Sequence, residues 1–281
     1  MAKPKLALIP AAQGTKLYSV LPSDGSGDFD FTRSSSATRI NAQGLIESVA
    51  NTSSRLNYPL LDGKVVGCPH HLLEPQRSNL ITYSESFSNA FWTKTASTIT
   101  SNAAISPDGT LNASNLIPST SSGVHNIKNP STLTSNYCSA SWFVKANGYS
   151  KVSLREDGVF GRYISCDLSN GTILDENANT SAEIENYGNG WYRIKFTDAV
   201  VSSGTRISMY VLPDSYTSGA PNTVNWSGNG TDGVLIFGAM LEDASFPTSY
   251  IKSNSGSATT RLGETATGSG SAATFNDSEG V

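Results

Sequence analysis

Charge is scarce in this chain of 281 residues: Asp, Glu, Lys and Arg make up 15% of it and leave a formal net charge of −4. With few cations and a negative balance there is no basic field to neutralise phosphates, which excludes a nucleic-acid partner. Long apolar runs are also missing. No stretch approaches the ~20 residues that span a bilayer, and the one apolar run near the N-terminus, 6–12, is interrupted by Pro10 and is too short for the apolar centre of a secretion signal. No membrane insertion is expected. Cysteine is limited to Cys68, Cys138 and Cys166. An odd number at wide spacing forms neither a disulfide framework nor a CxxC metal motif, and fits reduced thiols made in a reducing cytoplasm. Histidine is equally sparse. His70 and His71 would point to opposite faces of a strand, and His125 is not spaced to join them as a metal ligand. GxSxG, Walker and HExxH motifs are all absent. The expectation is a protein with no catalytic residues and no enzymatic activity.

What the chain has is turn chemistry. Gly contributes 25 residues and Pro 12, against 37% hydrophobic residues, and Ser, Thr and Asn are abundant. These residues compete with helical hydrogen bonds or weaken helices entropically, so short strands joined by many turns are favoured. Period-two alternation is clearest in Cys138-Ser139-Ala140-Ser141-Trp142-Phe143-Val144 and in Trp191-Tyr192-Arg193-Ile194-Lys195-Phe196. Strands are expected at 79–83, 97–101, 115–118, 123–128, 137–146, 151–156, 161–167, 181–186, 191–199, 206–212 and 234–242. Such runs with no sustained helical period predict an all-β fold, an antiparallel β-sandwich of the jelly-roll type, over residues 77–253.

Residues 1–76 differ in character. They carry dense turn signals and few alternating apolar runs, with a small hairpin expected from strands at 38–41 and 45–49 around Ala42-Gln43-Gly44. An extended, hairpin-containing segment with so little apolar surface is expected to need a partner to bury it. Residues 254–281 read as a Ser/Gly-rich linker followed by the start of a further module.

Several motifs recur in a fixed order: Asp28-Phe29-Asp30-Phe31-Thr32-Arg33-Ser34-Ser35-Ser36-Ala37-Thr38-Arg39-Ile40-Asn41, Gly44-Leu45-Ile46-Glu47, Arg55-Leu56-Asn57-Tyr58, Cys68-Pro69 and Leu72-Leu73-Glu74-Pro75-Gln76-Arg77-Ser78-Asn79-Leu80. Tyr83-Ser84-Glu85-Ser86-Phe87, Trp92, Ser106-Pro107-Asp108-Gly109-Thr110, Gly190-Trp191-Tyr192-Arg193, Leu241-Glu242 and Thr248-Ser249-Tyr250-Ile251 follow. Together they resemble a family of bacteriophage virion structural proteins, of the tail-fibre kind. The resemblance implies a virion-anchoring N-terminal segment at 1–76, then a jelly roll similar to carbohydrate-binding modules, with a concanavalin-like module often next. It implies a structural subunit of a head or tail fibre or other adsorption appendage, with portal, capsid or tail components as partners.

Candidate sites follow from the residues and from this resemblance. Exposed aromatic rings stack on sugar faces, and Trp226, set among Asn225, Ser227, Gly228, Asn229 and Gly230, leads a candidate glycan site with Tyr216 and Tyr149. A module contacting a host-surface glycan directly is the alternative function. The jelly-roll resemblance implies a structural calcium ion clipping first and last strands through Glu85, Glu242 and Asp243; no other cofactor is expected. Arg33 and Arg39 are candidates for docking on virion partners through planar hydrogen bonding, and Leu17 and Tyr18 for packing against them. Assembly as a homotrimer is expected, because symmetric copies would bury the core-poor first segment and the resemblance is to fibres.

Overall fold

The computed structural model describes residues 7–21, 27–130, 137–158, 161–177, 180–198 and 206–268. Among them the chain is all β, with antiparallel sheets and one 3-10 turn at Pro221–Thr223. It divides into two compact units: Met1–Pro59, Val65–Gln76 and Thr260–Val281 form the first, and Leu60–Lys64 with Arg77–Thr259 the second.

The second unit is a sandwich of two six-stranded sheets. One sheet runs Thr93–Thr95, His125–Lys128, Ile207–Leu212, Lys151–Glu156, Tyr163–Asp167, Thr172–Glu176 in spatial order; the other runs Ser97–Ile105, Leu111–Pro118, Gly233–Glu242, Cys138–Asn147, Trp191–Asp198, Thr180–Gly188. The chain repeatedly crosses between sheets, as a jelly roll does. Alternation sets the core: Cys138, Ala140, Trp142 and Val144 point inward from one strand, Val152 and Leu154 from another, and Ile194 and Phe196 from a third. Tyr192 packs against this core, while Trp191 is buried on the other face and donates its indole N–H to the Ile105 carbonyl at 3.1 Å. Most expected strands overlap observed ones, Lys151–Glu156 at both ends; the strand expected at 79–83 is corrected to Arg77–Asn79, and Thr93–Thr95 and Thr172–Glu176 are additional.

The sandwich's outer surface at Cys138–Asn147 and Gly233–Glu242 is covered by returning chain, and buried polar side chains hold that cover in place. Asn79 is fully buried and donates to the carbonyls of Ala239 (3.1 Å) and Ile251 (2.8 Å) while accepting from the N–H groups of Ile81 and Leu241. Arg193 donates to the Thr248 carbonyl (2.6 Å) and to Ser141 Oγ (2.8 Å). The Asn79 amide and the Arg193 Nη2 group thus find partners, without which each would cost about 1–3 kcal/mol. Gly238 sits at φ +59° where pairing jumps from Ser141↔Met240 to Phe143↔Phe237, a bulge that bends this central strand.

The first unit contains a sheet in the order Ala7–Gln13, Lys16–Leu21, Phe29–Thr32, Thr265–Thr267. The expected hairpin is present as Ala37–Ile40 paired with Ile46–Val49. Two expectations are corrected here. Residues 254–268 are not simply a linker: Thr265–Thr267 is a strand paired with Phe29–Thr32, in register Thr265↔Thr32 to Thr267↔Asp30. The first segment also contains buried material of its own. Leu17, Phe31, Ala37, Ile46 and Val49 are buried, and beside them lie Arg33, Arg55 and Arg261, all fully covered. Its interior is therefore partly ionic, which a search for apolar runs does not register. The expected start of a further module at 272–281 lies outside the described residues.

Candidate functional site

Trp226 and Tyr149 meet at one place on the sandwich. Trp226 is bridged to Gly123 through both backbone groups (Gly123 N–H to Trp226 O 3.0 Å, Trp226 N–H to Gly123 O 3.1 Å). Its ring stands edge-on to His125 (centroids 4.8 Å, 75°) and to Tyr149 (5.0 Å, 78°). The adjoining loop is fixed by Asn229, whose Oδ1 accepts from the N–H groups of Thr231 (3.0 Å) and Asp232 (2.8 Å), and whose own N–H donates to Tyr149 Oη (3.0 Å). Gly228 lies so close to Pro118 that a β-carbon there would sit 2.7 Å from its carbonyl oxygen. Both rings are half-buried. Perpendicular, half-covered rings do not form two coplanar stacking faces.

Tyr216 is not part of this place, and its reading as an exposed glycan contact is corrected. It is buried, in a small cluster with Tyr210 and Leu212. Its hydroxyl is within 2.9 Å of Ser165 Oγ and donates to the Gly219 carbonyl at 2.6 Å. Burial raises the Tyr216 pKa, against the Ser165 hydrogen bond. A phenol committed to internal partners has none left for a sugar.

A charged cluster that the sequence did not single out lies on the outer face of the same sheet. Asp157 pairs with Arg155, accepts from Ser208 Oγ and from Tyr210 Oη (3.3 Å), and has Lys128 Nζ at 3.4 Å. Arg155-Glu156-Asp157 is visible in the sequence as a charged triplet, but nothing links it to Lys128 or to Ser208 until the strands pair. Glu156 itself is buried and accepts the Gly161 N–H at 2.8 Å. His125 was likewise read only as an unused metal ligand; it is buried, with Nδ1 2.6 Å from the Ala96 carbonyl and Nε2 3.0 Å from that of Trp226.

The calcium site implied by the resemblance is corrected as well. Glu242 is fully buried and spends its carboxylate on Thr248, accepting from the backbone N–H (2.9 Å) and the hydroxyl (2.6 Å). Glu85 accepts from Tyr250 Oη (2.8 Å) and pairs with Lys252 (2.7 Å). Asp243 is exposed. Among the described residues no group of three or more His, Cys, Asp or Glu is arranged to hold a metal.

Of the docking candidates, Arg33 and Leu17 are corrected: both are buried within the first unit and offer nothing to a partner. Arg33 donates to Glu264 (2.5 Å) and to the carbonyls of Ser35 and Ala50 (2.6 Å each). Burial pulls its guanidinium below the ordinary arginine range, with Glu264 acting against that shift. Arg39 is partly exposed and pairs with Glu47 across the hairpin at 2.8 Å. Tyr18 is half-buried, with its hydroxyl 3.4 Å from Gln13 Oε1.

No helix among the described residues is long and apolar enough to cross a membrane. No known protein family matches the chain, and no curated protein does. Among solved structures, the chain is similar to the enzymatically active domain of bacteriophage CBA120 tailspike protein 4, at 15% identity and a TM-score of 0.32, over 58% of this chain and 21% of that one. The chain thus spans about a fifth of that structure's length, and a TM-score at this level transfers neither its fold nor its activity. The expectation of a protein without enzymatic activity is corrected to this extent: the matched structure is by its own description an enzymatically active domain.

Proposed function

We propose that this chain is a structural subunit of a bacteriophage tail or head appendage, with the first unit docking on virion components and the sandwich serving the adsorption apparatus. One observation supports the reading. The motifs that carry the family resemblance coincide with hydrogen-bonded polar positions, buried or half-buried, in both units: Arg33, Arg55 and Glu74 in the first, and Asn79, Glu85, Arg193, Glu242, Thr248 and Tyr250 in the second. Residues that hold a fold in this way are the ones a shared module has to keep. Antibody labelling of intact particles tests it. Label on an appendage is the expected result, and recovery of the protein only in the particle-free lysate overturns it. Within this reading Arg39 and Tyr18 are the docking candidates that are not fully buried, and copies assemble as a homotrimer, which mass photometry of the full chain checks.

A second reading, direct contact with a host-surface glycan, is favoured by the half-exposed Trp226–Tyr149 pair on its ordered loop. Trp226→Ala should then abolish signal on a glycan array while leaving the far-UV spectrum unchanged. No array signal from the parent protein rejects it.

A further inference from the structure

Residues 260–268 are held in the first unit by the contacts of a bound ligand. Their backbone adds a strand to Phe29–Thr32 and is fixed further by Leu262 N–H to Ser35 Oγ (2.9 Å) and Glu264 N–H to the Glu74 carbonyl (3.1 Å). The side chain of Glu264 enters a closed socket. Its Oε1 accepts from Arg33 Nη1 (2.5 Å) and Arg55 Nε (2.8 Å); its Oε2 accepts from Arg55 Nη2 and from the Glu74 N–H (2.9 Å). The Glu264, Arg33 and Arg55 side chains are all fully buried. Arg261 adds an ion pair to Glu74 (2.8 Å) and a hydrogen bond to the Pro75 carbonyl (3.0 Å). Main-chain pairing plus one side chain read in a specific socket is how an added strand is recognised. Two arginines buried around one carboxylate are strongly destabilising when that carboxylate is removed.

We propose that the first unit is a strand-accepting receptor whose ligand is an extended peptide bearing a glutamate just before the paired stretch, and that its resident ligand is this chain's own residues 260–268. The socket residues Arg33, Arg55 and Glu74 are translated some 190 to 231 residues before Glu264. The unit therefore stays open until residues 260–268 have been made, and its closure reports that synthesis has passed the sandwich.

Hydrogen exchange on the full chain tests it. In Glu264→Ala, amides of Phe29–Thr32, Ala37–Ile40 and Ile46–Val49 should exchange at least about tenfold faster, while those of Cys138–Asn147 and Gly233–Glu242 keep their protection. A second arm uses full-length protein with a protease recognition sequence inserted in the exposed stretch 254–258 and cut after folding. Release of the C-terminal fragment should open the first unit. A synthetic peptide of residues 259–268 should close it again, and the same peptide with Glu264→Ala should not. Unchanged protection of the first unit in either arm overturns the proposal. So does loss of protection in both units together, since the segment would then support the whole chain and not act as the ligand of one unit.

Discussion

At the scale of single residues, ionisable groups are tuned by what covers them. Asp108 closes a tight turn, accepting from Ser106 Oγ (2.7 Å), the Thr110 N–H (2.8 Å), Thr110 Oγ1 (2.7 Å) and Asn112 Nδ2 (3.0 Å). Burial works to raise its pKa, but these hydrogen bonds outweigh burial and hold the carboxyl below its usual range. A folded pKa below the unfolded one means stability that is fully present above the ordinary carboxylate range and is lost as pH falls through the folded value. Asp108→Ala is therefore expected to cost about 1–2 kcal/mol near pH 7 after allowing for its partial exposure, and much less near pH 2.5, measured by urea unfolding at both. The cysteines divide the same way. Burial pushes the Cys166 thiol up to about 12 and raises Cys138 further, whereas Cys68 is exposed. Alkylation of the native protein at mildly alkaline pH should modify Cys68 alone, and mass spectrometry should find all three modified only after denaturation.

Elements were legible where side-chain alternation dictated them and hidden where something else did. Strands such as Cys138–Asn147 and Trp191–Asp198 announce themselves because small or polar residues alternate with Trp, Phe, Val and Ile. Thr265–Thr267 does not, because its Ser-, Gly- and Thr-rich surroundings match a linker and its placement comes from one buried glutamate. Tyr216 misled for a related reason: a loop of Gly, Pro and Ser implies exposure, yet its hydroxyl meets Ser165 of the sheet and the Gly219 carbonyl of its own loop. Gly238 shows how much one position in a strand can carry. A β-carbon there would meet the Phe143 ring at 2.9 Å and the Tyr250 ring at 3.2 Å, in a left-handed conformation that side chains disfavour. Gly238→Ala should cost about 2–4 kcal/mol, the sum of backbone strain and overpacking, read as a lowered urea midpoint with unchanged slope.

For the whole molecule, the all-β class and the jelly-roll sandwich followed from composition and period, whereas the way the first unit is completed did not, since no local pattern joins Arg33 to Glu264. All four tryptophans, Trp92, Trp142, Trp191 and Trp226, belong to the second unit. Tryptophan emission thus reports the sandwich alone, while far-UV dichroism reports strands of both units. Denaturant curves from the two probes are expected not to coincide, and coincidence at every concentration would mean that the units unfold as one. The chain begins its described course at Ala7–Gln13 and ends it next to Thr265–Thr267, both in the same four-stranded sheet. Most of the second unit, Arg77–Thr259, is therefore inserted in sequence between parts of the first. Tension applied between residues 7 and 268 would load the two edge strands of this sheet, Ala7–Gln13 and Thr265–Thr267, and the second has a buried ionic anchor in Glu264 to resist peeling.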